Sequence, residues 1–128
     1  MRTLALLTLL SASSAFAAVD HEAAFKADIA PILEKSCANC HDPKKAKNGK
    51  VKSGFNSSSL ADVIKGGTDD GVGITWGDAS KSSLYKSVNM TLSDPEHDDA
   101  MPPKKSQEKN PPLTKEQVAK IKAFIEAK

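Results

Sequence analysis

The five-residue run Cys37-Ala38-Asn39-Cys40-His41 constrains this chain more than any other feature. It holds both cysteines of the 128 residues, so the two thiols lie within about one helical turn of each other. Three chemistries compete for such a pair. A disulfide across two intervening residues makes a tight loop typical of redox-active thiol proteins, and a thioredoxin-like site needs a strand–helix–strand context that this chain does not offer. A closed zinc site needs four Cys or His at metal spacing. The other histidines, His21 and His97, are isolated in sequence. Covalent attachment of c-type haem is the chemistry that the spacing favours. The two vinyl groups of the porphyrin share one edge, so thiols one turn apart can each add to one of them. The next residue, His41, is then carried beneath the ring, where its imidazole can bind iron.

Such attachment takes place in an oxidising compartment and requires an exported chain. Residues 1–17 read as a cleaved secretory signal: Arg2 gives a thin positive region, Leu4 to Leu10 the apolar stretch, and Ala15-Phe16-Ala17 the small residues before the cut. The apolar stretch falls well short of the roughly 20 residues that span a bilayer. Residues 18–128 are therefore expected as one periplasmic, soluble domain without a membrane span. Removing the leader removes Arg2, the only arginine, so every later cation is lysine or histidine.

Composition narrows the possibilities. The formal charge of +2, from 18 Lys+Arg against 16 Asp+Glu, is too balanced for a nucleic-acid-binding surface. One Trp, one Tyr and four Phe are few large core residues, and a buried porphyrin would supply the missing core. The periodicity is helical throughout, with no paired strands. Phe25, Ile29, Ile32 and Leu33 share one helical face that Cys37 continues, with Pro31 marking a kink or a true start. Ser57 or Ser58 is expected to cap a helix through Leu60, Val63 and Ile64 that closes at Gly66-Gly67. Asp78 is expected to cap a third helix through Leu84, Tyr85 and Val88. Thr114 with Gln117 forms a capping box, with Leu113 and Val118 at the staple positions, for a last helix lined by Val118, Ile121, Phe124 and Ile125. The expected class is all-α: about four short helices and long loops around one covalently bound haem.

Iron held by His41 alone would keep one face open. Met90, Met101, His97, His21 and the lysines could supply a second ligand. Met101 is preferred on the residues alone, because Pro102-Pro103 stiffen its loop and a thioether favours reversible electron transfer. Met90 reads better as core, and His97 and His21 as surface. Trp76 and Tyr85 could pack on the ring or donate to its propionates, or simply fill core. Pro43 is a candidate to offer its carbonyl to the free nitrogen of His41.

From about Phe25 to Ile125 the chain resembles a class I c-type cytochrome, and more narrowly the planctomycete-type cytochrome c domain. The resemblance rests on Pro31-Ile32-Leu33-Glu34 before Cys37-Ala38-Asn39-Cys40-His41, on Pro43, and on Leu60 to Gly67. It extends through Gly77-Asp78, Ser83-Leu84, Val88, Met101-Pro102-Pro103 and Leu113-Thr114. It implies His41 and Met101 as axial ligands of one haem c. The chain departs from the family pattern in having Asp42 after the histidine, Asn56 in place of an arginine and Trp76 in place of a proline. The stretches Lys44 to Lys52 and Lys104 to Pro112 look inserted.

Electron carriage is the expected function, with no enzymatic activity, a monomeric state, and redox proteins as partners whose identity the sequence does not give. A haem enzyme or gas binder with an open coordination site, or an electron-entry subunit of a larger dehydrogenase, are the alternatives. The lysines of Lys44–Lys52 read either as a solvated loop or as a docking patch for an acidic redox partner.

Overall fold

The computed structural model describes residues 18–128. The expected leader, residues 1–17, lies outside them. All regular structure among the described residues is helical, so the all-α expectation holds.

The first helical run has three parts. Helix α1 (His21–Ala24) is capped by Asp20, whose carboxylate accepts from the Ala23 N–H at 3.0 Å. A π-helical turn, Phe25–Ile29, follows, and then α2 (Ala30–Ser36). Pro31 explains the wide turn. It has no N–H to give to a preceding carbonyl, and its ring crowds the turn before it. The chain adjusts by a wider loop, in which the Ala30 N–H reaches the Phe25 carbonyl five residues back. The run therefore continues through Pro31, with the proline at the head of α2. Phe25, Ile29, Ile32 and Leu33 are all buried, as one apolar face requires.

Helix α3 (Ala38–His41) is a single turn carrying the Cys-His run. Helix α4 (Leu60–Lys65) is capped by Ser59, not by Ser57 or Ser58: the Ser59 hydroxyl accepts from the Asp62 N–H and donates to the Asp62 carboxylate. Ser57 is instead occupied through its N–H, which donates to the His41 carbonyl. Helix α4 ends at Gly66, whose φ of 80° only glycine adopts at little cost. Gly73 packs against it so closely that a Cβ there would lie 1.8 Å from the Val63 carbonyl oxygen.

Helix α5 (Ser83–Ser93) also differs from expectation at its start. Asp78 precedes a short 3-10 turn, Ala79–Lys81, and does not cap α5. The first free N–H groups of α5 are met by loop carbonyls: Ser83 donates to Val72 and Leu84 to Gly73. The neighbouring Ser82 is buried, and its hydroxyl accepts from the Thr75 N–H at 2.8 Å. Helix α6 (Lys115–Glu126) has the expected capping box between Thr114 and Gln117. It packs on the π-helical turn and on α5, burying Val118, Ile121, Phe124 and Ile125. Leu113 and Val118 are both buried at the staple positions.

The loop between α4 and α5 thus depends on the close approach of Gly73 to α4. Gly73→Ala is expected to lower stability by more than about 2 kcal/mol, since backbone itself must move. Gly71→Ala, which meets no atom within 4 Å but carries a φ of 75°, should cost about 1 kcal/mol. Denaturant midpoints of the haem-loaded variants check the difference.

Candidate functional site

Two adjoining cavities meet at the Cys-His turn. The larger encloses about 520 Å³ of free space, partly open to solvent, with Cys37, His41, Phe55, Leu84, Val88 and Met101 in its wall. The smaller, about 260 Å³, is lined by Cys37, Cys40, His41, Met101 and Pro102 and by Asn110 of the segment before α6. All four residues singled out by the sequence, Cys37, Cys40, His41 and Met101, therefore line one space.

Local hydrogen bonding places the turn. The Cys37 N–H continues α2 by donating to the Leu33 carbonyl at 2.8 Å. Cys40 and His41 both donate to the Cys37 carbonyl, and Asp42 to that of Ala38. Cys37 is buried and Cys40 half-buried, both as free thiols. Burial, with a smaller contribution from neighbouring Cys40, pushes the Cys37 thiol up to about 12, so it stays protonated and uncharged.

His41 is oriented by main chain. Its Nδ1 lies 3.1 Å from the Phe55 carbonyl oxygen, and the Phe55 ring stands edge-on to the imidazole. The Ser57 N–H donates to the His41 carbonyl at 2.7 Å, closing the 55–57 loop beneath it. The expected partner, Pro43, does not fill this role. It is exposed at the start of the lysine loop, while the Phe55 loop occupies the space beside Nδ1. An Nδ1–H donating to Phe55 leaves Nε2 with a free lone pair. Burial lowers the His41 pKa, only partly opposed by the Phe55 hydrogen bond, and so favours the neutral ring that binds metals.

Met101 follows the buried Ala100, and its bond to Pro102 is cis. Its N–H donates to the Ser87 carbonyl at 3.1 Å, and its own carbonyl accepts from the Thr91 hydroxyl at 2.8 Å. The Gln107 side chain donates to the Pro102 carbonyl at 3.1 Å. Asn110, itself buried, accepts from the Asn39 side chain at 3.0 Å. The Lys104–Pro112 stretch, read as an insertion, is thus tied to the Cys-His turn and walls the smaller cavity.

Other candidates lie elsewhere. Trp76 stacks on His21 at 4.1 Å and meets Phe124 at 5.4 Å, because the Gly77 N–H pins its loop to the Ile125 carbonyl at the end of α6. It lines neither cavity. Tyr85 is half-buried at the core margin, its hydroxyl 3.4 Å from the Asn89 side-chain oxygen, and it too is absent from both walls. His21, expected at the surface, is half-buried, and its Nδ1 has no hydrogen-bond partner among the described residues. His97 is exposed and accepts from the Asp99 N–H. Met90, expected in the core, is half-buried on a separate polar groove beside Asp69 and Asp99. Asn56 supports α4 by donating to Asp62. In the lysine loop, Lys45 pairs with Glu34, while Lys44, Lys47, Lys50 and Lys52 are exposed.

The donor set suits the group that the motif implies. Two thiols stand on one turn, a neutral imidazole keeps a free nitrogen, a thioether lines the same space, and Phe55, Leu84 and Val88 give apolar walls. Among the described residues no three His, Cys, Asp or Glu converge as a metal site of another kind. The family model described as Planctomycete cytochrome C matches residues 37–105, just over half of the chain. No curated protein and no solved structure gives a match.

The buried imidazole makes stability depend on pH. With its folded-state pKa below the ordinary 6.5, the unfolded chain binds more protons between the two values. The stability from keeping His41 neutral is whole above pH 6.5. It is expected to be lost as pH falls from there through the lowered value. Denaturant midpoints of the haem-free chain, in which no metal competes with protons for His41, check the direction across this range.

Proposed function

The chain belongs to the planctomycete cytochrome c family, and on that premise we propose a one-electron carrier with one haem c, held by Cys37 and Cys40 and ligated by His41 and Met101. The observation that carries this reading is the single cavity lined by all four of these residues. When bound, the haem supplies an iron that gains and gives up one electron.

The chain's own residues do the rest. Cys37 and Cys40 would hold the group through thioethers, their S–H adding across its vinyl double bonds with no net oxidation or reduction. His41 offers Nε2 while Phe55 fixes the ring, and this second contact raises the basicity of the ligating nitrogen. Met101 offers a soft, uncharged sulfur, which favours the reduced state and raises the reduction potential. Leu84, Val88 and Phe55 give the cavity its apolar walls. Residues 1–17, by their signal-like pattern, support export to the periplasm before attachment.

Met101→Leu tests the assignment. The loaded wild-type protein is expected to show the methionine-sulfur-to-ferric-iron absorption band and to bind carbon monoxide poorly. The variant should lose the band, bind carbon monoxide readily and shift to lower potential. A wild-type protein without the band that binds carbon monoxide freely would instead indicate an open-site haem protein. A haem stain that survives denaturation of the wild type, and is lost in Cys37→Ala/Cys40→Ala, checks the covalent bond.

A further inference from the structure

Met101 is gripped by its main chain at both ends. Its N–H and its carbonyl bond to Ser87 and Thr91, four residues apart on α5. The two bonds differ in kind. The Ser87 partner is a backbone carbonyl that any residue at that position would provide. The Thr91 partner is a side-chain hydroxyl, so this bond depends on which residue stands at that position. Thr91 is buried, so water does not readily take its place. Its hydroxyl lies 2.8 Å from the Met101 oxygen but 3.4 Å from the Ser87 carbonyl, so the strong contact is the one to the methionine loop. Ala100, just before Met101, is fully buried, so the loop enters this grip from the protein interior.

A thioether is a weak, neutral ligand, and its hold on a metal depends on how little freedom it must surrender. We propose that Thr91 is a positioning residue for the sulfur of Met101: its hydroxyl locks the methionine carbonyl onto α5 and so sets how readily another ligand displaces the sulfur. This rests on the reading of Met101 as iron ligand. Without the hydroxyl, the carbonyl of half-buried Met101 loses its partner on α5, and the loop gains by turning outward to water. Turning outward carries the sulfur away from the cavity.

The test uses full-length haem-loaded protein in the ferric state, titrated with imidazole while the sulfur-to-iron band is followed. Thr91→Val, nearly isosteric but without the hydroxyl, is expected to lose the band at about ten-fold lower imidazole, equivalent to about 1.4 kcal/mol. Thr91→Ser, which keeps the hydroxyl, should titrate like the wild type. If Thr91→Val does not load haem, Thr91→Ala carries the same comparison. Equal titration of wild type, Val (or Ala) and Ser forms would overturn the proposal. So would equal weakening in the Val and Ser forms, which would trace the effect to packing. Absence of the band in the wild type, or its persistence in Met101→Leu, would remove the ligand assignment itself and the positioning role with it.

Discussion

The hydrogen bonds that tie Cys37 back to Leu33, Cys40 and His41 to Cys37, and Asp42 to Ala38 are what the rest of the molecule is arranged around. They make the Cys-His turn an extension of a buried helix, so both thiols and the imidazole take their positions from the core. The 55–57 loop supports the turn from beneath through His41, and Asn110 supports it from the side through Asn39. Three segments far apart in sequence thereby converge on five residues. A turn held from several sides loses little entropy when it binds a large rigid group, which is the requirement for a preorganised site.

The core shares its side chains with that site. Leu84 and Val88 belong to the buried cluster and also to the wall of the larger cavity. Protein side chains complete only part of their surroundings. A group that fills the remaining space binds the folded chain and not the unfolded one, and so adds to stability as it adds function. The exposed ion pairs, such as Lys26 with Glu22 and Lys120 with Asp28, contribute little by comparison.

Much of this was legible in the residues. The apolar face from Phe25 to Leu33, the glycine stop after α4 and the Thr114 capping box rest on local periodicity and cap chemistry, which sequence carries directly. The Cys-His turn was legible for the same reason: its spacing is its chemistry. What could not be read depends on tertiary partners. The cap of α5 is supplied by loop carbonyls, which every residue has, so Asp78 looked the better candidate. The π-helical turn is a response to Pro31 whose form depends on packing. For Trp76 the residues leave ring contact and core filling equally open, and it is the bond from Gly77 to Ile125 that sets it against α6. Thr91 did leave a trace. With Leu84 and Val88 it falls on one helical stripe, and a hydroxyl on an apolar stripe signals a buried partner.

The partner of His41 is a carbonyl of the main chain, and this has an evolutionary corollary. Substitution at position 55 changes the ring that lies beside the imidazole but not the oxygen that faces Nδ1. On this side of the site the hydrogen bond survives drift at position 55 unless the whole loop moves. On the sulfur side one codon decides whether a hydroxyl is present. Heritable adjustment of such a protein thus has an asymmetric substrate: one contact written in backbone and another written in a side chain.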